Sequence, residues 1–172
     1  MKKIQLSWAD VQGLCLEVCR QIQQSQWQPD YVVGITRGGC TPAVLISQYL
    51  GVPCEMLKVS LRDDGDTESN CWMAEDAFGY SMEAPKNILI VDDINDSGAT
   101  LQWIQKDWRA SCLGKDPAWD EIWGKTTRVA CLVDNQASES KIDYSGTTCN
   151  KLDENVWFVF PWEEWWKHGR NL

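Results

Sequence analysis

The sequence has little of the chemistry that binds transition metals or nucleic acids. Its 172 residues include one histidine, His168, which excludes a metal site built from several histidines. The eight cysteines form no C-x-x-C pair and no repeated ligand spacing, so they predict no cysteine metal site. The net charge of −9 argues against a protein whose main task is to grip a nucleic-acid backbone.

Long apolar runs are also missing. No stretch approaches the roughly 18 apolar residues that a membrane span needs, and Lys2 and Lys3 are not followed by the apolar core of a signal peptide. We therefore expect a cytoplasmic protein with reduced thiols and with no membrane or nucleic-acid partner. A small phosphorylated ligand remains compatible with the acidic charge, because backbone amides and a bound metal neutralise phosphate locally.

What is present is typical of one globular domain spanning residues 1–172. Hydrophobic residues make up 44% and charged residues 24%, and we expect most of the eleven tryptophans to be packing residues. Ser7 is expected to cap a helix that runs to about Ile22, and Thr41 to cap a helix with Pro42 at its first position.

Strands and helices are expected to alternate along the chain. Helices are predicted at 7–22, 41–50 and 100–110, and strands at 31–35, 53–60, 87–91, 128–133, 142–144 and 157–160. This order predicts an α/β fold with a mainly parallel twisted sheet flanked by helices.

Two segments interrupt the alternation. Residues 61–86 are polar and acidic with weak periodicity, which predicts a flexible lid loop, where Arg62 is a candidate to reach a bound anion. Residues 112–127, with Trp119 and Trp123, are expected to form an irregular or short helical insertion.

The stretch ILIVDDINDSGATL, residues 88–101, carries the clearest chemical signal. Its D-D-x-x-D spacing is compatible with a helical magnesium clamp, a phosphohydrolase site or a ligand turn. The four β-prone residues before Asp92 favour the turn, since open α/β sheets bind ligands at the carboxyl ends of their strands. The small residues from Asp96 to Thr100 then open a helix whose amides suit a phosphate, while the first two acids suit vicinal hydroxyls or a metal. A phosphate beside a diol describes a ribose 5-phosphate.

The run of apolar residues, two acids, two further residues and D-[ST]-G-x-T resembles the phosphoribosyl-diphosphate (PRPP) motif of the type I phosphoribosyltransferases. This resemblance implies that Asp92 and Asp93 face the ribose hydroxyls, with Asp93 nearer to a magnesium ion. It also implies that Asp96 takes part in proton transfer on the base, and that Ser97, Gly98, Ala99 and Thr100 hold the 5′-phosphate.

Two further segments are similar to the purine members of that family. Thr36, Arg37, Gly38 and Gly39 resemble the pyrophosphate loop, in which the Thr36–Arg37 peptide is expected to be cis. Residues 155–163 resemble the W-x-x-x-P-W-[DE] end of xanthine-guanine enzymes, which implies that Trp157 stacks on the base and Phe158 gives main-chain contacts. Residues 140–172 are expected to form a small hood, with 141–144 a strand leading to it.

One departure from the resemblance concerns the base. The purine enzymes carry a lysine after the strand equivalent to 129–133, whereas this chain has Asp134 and Asn135 there. An aspartate or an amide oxygen accepts from an amino group, whereas lysine donates to an oxo group. Our hypothesis is that Asp134 and Asn135 bind the base, either with a changed preference or with Asn135 donating in place of lysine.

The sequence as a whole thus predicts a magnesium-dependent enzyme that transfers phosphoribose from PRPP to a nucleobase, with a purine favoured, and that is a dimer by family resemblance. A PRPP-binding regulator with little catalysis and a magnesium phosphohydrolase are the alternatives.

Overall fold

The computed structural model describes residues 1–59, 71–79, 84–110, 120–163 and 165–168. Its elements, in chain order, are β1 (Lys2–Gln5), α1 (Trp8–Gln24), β2 (Tyr31–Thr36), α2 (Cys40–Leu50), β3 (Cys54–Lys58), α3 (Cys71–Phe78), β4 (Ile88–Asn95), α4 (Ala99–Trp108), β5 (Thr127–Asn135), β6 (Tyr144–Cys149), β7 (Val156–Val159) and α5 (Trp165–His168).

The main sheet has five parallel strands in the order β3-β2-β4-β5-β6. The central strands alternate between two apolar clusters, since Leu89 and Val91 face one cluster while Ile88 and Ile90 face the other. Helices α1 and α2 pack in the first cluster, and α3 and α4 in the second. The predicted α/β architecture is therefore confirmed, and both faces of the sheet are covered, as parallel sheets require.

The first helix begins as its sequence predicts. The Ser7 hydroxyl accepts a hydrogen bond from the Asp10 amide, and the Asp10 carboxylate accepts one from the Ser7 amide, which together form a capping box. The start of α2 differs from the prediction: it begins at Cys40 with Gly39 as its N-cap, so the assignment of Thr41 as the cap was wrong. The helix starts earlier because the chain turns directly at the end of β2, where the Gly39 amide donates to the Ile35 carbonyl.

Part of the predicted lid is a helix. Residues 60–70 and 80–83, with Arg62, lie outside the described residues, but α3 places Met73, Ala74 and Ala77 in the buried core. The prediction of one continuous loop over 61–86 was therefore wrong. The three buried side chains recur at a helical spacing, which the acidic composition of the segment obscured.

The predicted insertion is described only from residue 120 onward, so Trp119 lies outside the described residues. Ile122 is buried, and the Trp123 ring lies 5.4 Å from that of Trp108 on α4. This part of the segment thus packs against the second cluster.

The hood sheet uses both ends of the chain. Strand β1, which the sequence analysis missed, pairs in parallel with β7, so that Lys3 lies opposite Trp157. The strand predicted at 141–144 was misplaced: β6 begins only at Tyr144, extends to Cys149 and forms an edge of the main sheet, where it pairs with β5. Within the described parts of the chain, no helix has the length and apolar character needed to cross a membrane.

Candidate active site

The topology brings two predicted ligand loops to one edge of the sheet. From β2 the chain continues to β3 on one side, whereas β4, β5 and β6 follow one another on the other side. The boundary between β2 and β4 is therefore the switch point at which open α/β sheets form their ligand crevice. Residues 36–39 follow β2 there, and residues 92–100 lie at the end of β4 and the start of α4.

The loop after β2 packs directly against the acidic strand. The Thr36–Arg37 peptide is cis, as the resemblance implied. A Cβ atom added to Gly38 would overlap the carboxylate of Asp93, so only glycine allows this approach. Arg37 and Gly38 therefore share one crevice with Asp93.

The two leading acids lie within β4 rather than after it, because this strand continues four residues beyond the predicted end at Val91. The Asp92 carboxylate accepts a hydrogen bond from the Asp93 amide at 2.9 Å, and the Asp93 carboxylate accepts one from the Ile94 amide at 2.8 Å. Burial and the neighbouring Asp93 carboxylate raise the pKa of Asp92 well above its usual value. Burial also raises the pKa of Asp93. Such a pair favours a ligand that brings positive charge or hydroxyl donors.

The turn from Asp96 to Thr100 surrounds a cavity of about 230 Å³. Gly98 caps α4 with φ 88°, a left-handed conformation that glycine adopts without strain. The Ser97 hydroxyl accepts from the Ala99 amide at 3.3 Å, and the first amides of α4 point away from the helix, where they suit an anion.

A buried polar network holds this turn from below. Asn95, which is 6% exposed, donates to the Asp134 carboxylate at 2.7 Å and to the Ser140 carbonyl at 3.0 Å. Its amide oxygen accepts from the Ser138 hydroxyl at 2.9 Å, and the Ser140 hydroxyl donates to the Gly98 carbonyl at 2.9 Å. The segment after β5 thus fixes the turn before α4.

Asp96 is linked to the hood through a residue that the sequence analysis missed. The Lys151 ammonium lies 2.9 Å from a carboxylate oxygen of Asp96 and 5.6 Å from the centre of the Trp157 ring. Trp157 itself is 45% exposed. The candidate proton-transfer residue and the candidate stacking residue therefore both lie close to one ammonium group. The Phe158 side chain is only partly buried and packs on the first cluster.

The side chains of Asp134 and Asn135 are engaged within the protein. Asp134 accepts from Asn95, as described above, and the Asn135 amide nitrogen donates to the Asp96 carbonyl at 2.8 Å. The Asn135 amide oxygen accepts from the backbone amide of Lys151 at 3.0 Å. These contacts place both residues beneath the site, where they support Asp96 and the turn.

A second cavity, of about 510 Å³, joins the two loops to the hood. Its lining contains Arg37, Gly38 and Asp93 on one side and Trp162, Glu163 and Trp166 on the other. The W-E pair of the C-terminal motif therefore faces the loop after β2.

Comparison with models of known protein families identifies the family of this chain. The model of the phosphoribosyl transferase domain matches residues 2–167, which is nearly the entire chain. The chain belongs to the phosphoribosyl transferase domain family. The expected family, fold and enzyme class are thereby confirmed.

Several relatives match this phosphoribosyltransferase over most of their length. The Schizosaccharomyces pombe hypoxanthine-guanine phosphoribosyltransferase is 23% identical, with 94% of this chain and 89% of the relative covered. Xanthine phosphoribosyltransferase 1 of Saccharomyces cerevisiae is 19% identical, with 94% and 90% covered. The crystal structure of a purine phosphoribosyltransferase from Pyrococcus horikoshii superposes with a TM-score of 0.66 at 25% identity, covering 95% of this chain and 96% of that one.

The residues missed in this phosphoribosyltransferase share a weak sequence signal. Lys151 is a lysine in a polar turn after β6 and belongs to no recognisable motif. Asn95 is the one uncharged polar residue among the aspartates of residues 92–96. Lys151 lies beyond β6, and therefore outside the segment after β5 that contains Asp134 and Asn135. Its role becomes visible only when β6 places that turn beside Asp96.

Proposed function

We propose that this protein transfers the 5-phosphoribosyl group from PRPP to a purine base, giving a nucleoside monophosphate and pyrophosphate. The observation that carries the proposal is the contact of Gly38 with Asp93, which joins the loop after β2 to the acidic turn at the switch point of the sheet. Full-length similarity to enzymes named for hypoxanthine, guanine and xanthine supports a purine as the acceptor.

The loops are suited to the two ends of PRPP. The amides at the start of α4 and the hydroxyls of Ser97 and Thr100 receive the 5′-phosphate. Arg37 and the backbone of Gly38 and Gly39 receive the pyrophosphate, since a guanidinium offers a planar fork of donors to phosphate oxygens. The carboxylates of Asp92 and Asp93 accept hydrogen bonds from the ribose hydroxyls that lie between these two ends.

The residues present also fit a magnesium ion. No cluster of three metal-binding side chains occurs within the described residues, but Mg²⁺ is commonly held by one or two carboxylates together with substrate phosphates. Asp93, with Asp92 beside it, supplies such carboxylates; burial raises the pKa of both, and the Asp93 carboxylate adds to the rise at Asp92. When bound, the ion would neutralise the pyrophosphate leaving group.

At the other end of the site, Trp157 provides a partly exposed ring on which a planar base stacks. The Asp96 carboxylate lies 2.9 Å from the Lys151 ammonium, which is itself 5.6 Å from the centre of the Trp157 ring, so a base stacked on that ring would lie near Asp96, which would take up or return the proton on a ring nitrogen. Both substrates are thereby held in a reactive orientation, which lowers the barrier to the transfer.

Pyrophosphate release tests the proposal. The protein is incubated with PRPP and Mg²⁺, with and without hypoxanthine, guanine, xanthine or adenine, and the nucleoside monophosphate is identified by chromatography. Release that requires a purine and matches the nucleotide formed supports the proposal. Release without any base indicates a hydrolase, and PRPP binding without release indicates a regulator; either result overturns it.

A further inference from the structure

The Lys151 ammonium occupies an unusual position for a surface-turn lysine. Its side chain is only 18% exposed, against 67% for Lys125, which forms an ordinary helical-spacing ion pair with Glu121. The Lys151 ammonium lies 2.9 Å from the Asp96 carboxylate and 5.6 Å from the centre of the Trp157 ring, so a base stacked on Trp157 would lie close to both charged groups.

One buried amide fixes both members of this ion pair. Asn135, which is 6% exposed, donates to the carbonyl of Asp96 and accepts from the amide of Lys151. The turn that carries Lys151 is closed by its own bonds, since the Asn150 carbonyl accepts from the Asp153 amide at 3.1 Å and from the Glu154 amide at 3.0 Å. The ammonium and the carboxylate are therefore set side by side before a ligand arrives.

The hydrogen-bonding groups of Lys151 and Asp96 determine which ligand can bind against them. An ammonium has only donors, and an ionised carboxylate has only acceptors. The pair is complementary to a planar ring that carries an acceptor oxygen next to a nitrogen that bears or takes up a proton. Oxygen O6 and nitrogen N7 are neighbours of this kind on one edge of a 6-oxopurine. On adenine an amino group replaces the oxygen, and its donors would face those of Lys151.

We propose that Lys151 is a specificity-determining residue, which donates to the oxo group of the base and rejects a 6-amino purine, and that Asn135 is the positioning residue that sets Lys151 beside Asp96. This inference rests on the proposed function. It assigns base recognition to the turn after β6 in place of the side chains of Asp134 and Asn135, which are engaged within the protein.

Product binding tests the proposal without turnover. Inosine 5′-monophosphate and adenosine 5′-monophosphate differ at the 6-position, where one has an oxo group and the other an amino group. Their dissociation constants are measured by calorimetry for the wild type, Lys151→Met and Lys151→Gln, with Lys125→Met as the matched control. Asn135→Ala is measured in parallel.

The wild type and Lys125→Met should bind the oxo nucleotide more tightly. Lys151→Met should weaken its binding about 10- to 100-fold, the range for a hydrogen bond to a charged group, with little loss for the amino nucleotide. Lys151→Gln should show the same direction of change, and Asn135→Ala should reduce the ratio of the two constants. Thermal melting and PRPP binding, both expected to be unchanged in the Lys151 variants, show that they are folded.

A ratio that stays at the wild-type value in both Lys151 variants would overturn the inference. If the wild type also releases pyrophosphate only when a base is present, the proposed function stands and the inference alone fails. If no base supports release, the proposed function fails and the inference fails with it.

Discussion

Asp92 and Asp93 show how a single residue can serve function at the expense of stability. Both carboxylates are held by backbone amides, yet burial raises the pKa of each. An ionised acid in this position is disfavoured in the folded protein relative to the unfolded chain. Ionised Asp92 and Asp93 therefore do not stabilise the fold, which agrees with the proposed role of the pair in binding a ligand.

Asp92→Asn should raise stability and lower activity. Because the folded-state pKa is raised, the unfolded chain gives up its proton at lower pH, and stability falls as the pH rises from about 3.8 through the folded-state pKa. At neutral pH the amide should therefore increase the free energy of unfolding, and this gain should shrink as the pH falls toward 4. Chemical denaturation between pH 4 and 8 measures it, and PRPP affinity should fall.

Asp120→Asn provides the control for Asp92→Asn. The Asp120 side chain is 63% exposed and lies 3.6 Å from Arg109, so its loss should change stability by less than about 0.5 kcal/mol. An Asp92 variant that is no more stable than the wild type at neutral pH would contradict the account of the acidic pair.

Gly38→Ala should abolish PRPP binding, because the added methyl group would overlap the Asp93 carboxylate and separate the two loops. Gly13→Ala is the matched control: it lies in α1, where a Cβ would meet nothing within 4 Å, so the same change should be neutral or stabilise by up to about 1 kcal/mol. PRPP binding by calorimetry distinguishes the two variants. Equal affinities would show that the contact of Gly38 with Asp93 is dispensable.

Asp96→Asn should lower turnover far more than PRPP affinity. Proton transfer by a positioned side chain contributes about 10²- to 10⁴-fold, and an amide cannot take up the proton, whereas the phosphate-binding amides are untouched. Steady-state kinetics together with PRPP calorimetry separate the two effects. An unchanged turnover number would remove Asp96 from the mechanism.

At the scale of elements, the start of α4 depends on the segment that follows β5. Asn95, Asp134, Ser138 and Ser140 form one hydrogen-bonded layer under the turn. The turn from Asp96 to Thr100 is therefore held in place by the end of β5 and the segment that follows it, in addition to the conformation of Gly98.

Asn95→Leu should destabilise the protein and loosen the turn together. It removes the hydrogen bonds that Asn95 makes with the partly buried Asp134 carboxylate and Ser138 hydroxyl, and a hydrogen bond contributes about 0.5–1.5 kcal/mol, or about 1.5–3 kcal/mol with a charged group. We expect the free energy of unfolding to fall by about 2–4 kcal/mol and PRPP affinity to fall with it. Ser138→Ala removes one bond of the same layer, and its effect should be smaller; an equal effect would argue against a shared network.

The elements that the sequence predicts well are those whose signal is local. Ser7 and Asp10 identify the start of α1, and the continuous apolar run 88–91 identifies a buried strand. The missed elements depend on distant partners. Strand β1 is four mostly exposed residues that are extended because β7 lies beside them, and α3 buries only three residues amid a polar segment. The secondary structure of such segments is determined by tertiary contacts more than by the intrinsic propensity of their residues.

At the scale of the whole molecule, the same distinction applies to the site. The turn from Asp96 to Thr100 and the loop after β2 are each continuous in sequence. The sequence motifs therefore predict the individual candidate residues of both segments. The pairing of Asp96 with Lys151 joins β4 to the turn after β6, and no spacing in the sequence encodes it. The base end of the proposed site is assembled from several segments, so a contiguous motif identifies it less completely, and the predicted base-binding roles of Asp134 and Asn135 stay predictions.

Removal of residues 1–5 should affect the base and not the phosphates. These residues pair only with β7 in the sheets, with Lys2 donating to the Asn155 carbonyl at 2.8 Å, whereas both PRPP loops belong to the main sheet. We expect the KM for the base to rise about tenfold or more, as one binding interaction worth 1.4 kcal/mol is lost, with PRPP affinity nearly unchanged. Circular dichroism confirms the fold. A uniform loss of both affinities would show that the two sheets do not act separately.

The pairing of β1 with β7 also sets an order for biosynthesis. Because β1 precedes β7 by about 150 residues along the chain, it has no partner in its sheet until β7 has been made. The strands that flank the phosphate turn are complete well before that, because β2, β3, β4 and β5 all precede β7 along the chain. Since chains grow at about 5–20 residues per second, we expect the main-sheet strands β2 to β5 to pair before β7 is made, and the sheet of β1 and β7 to form only after that.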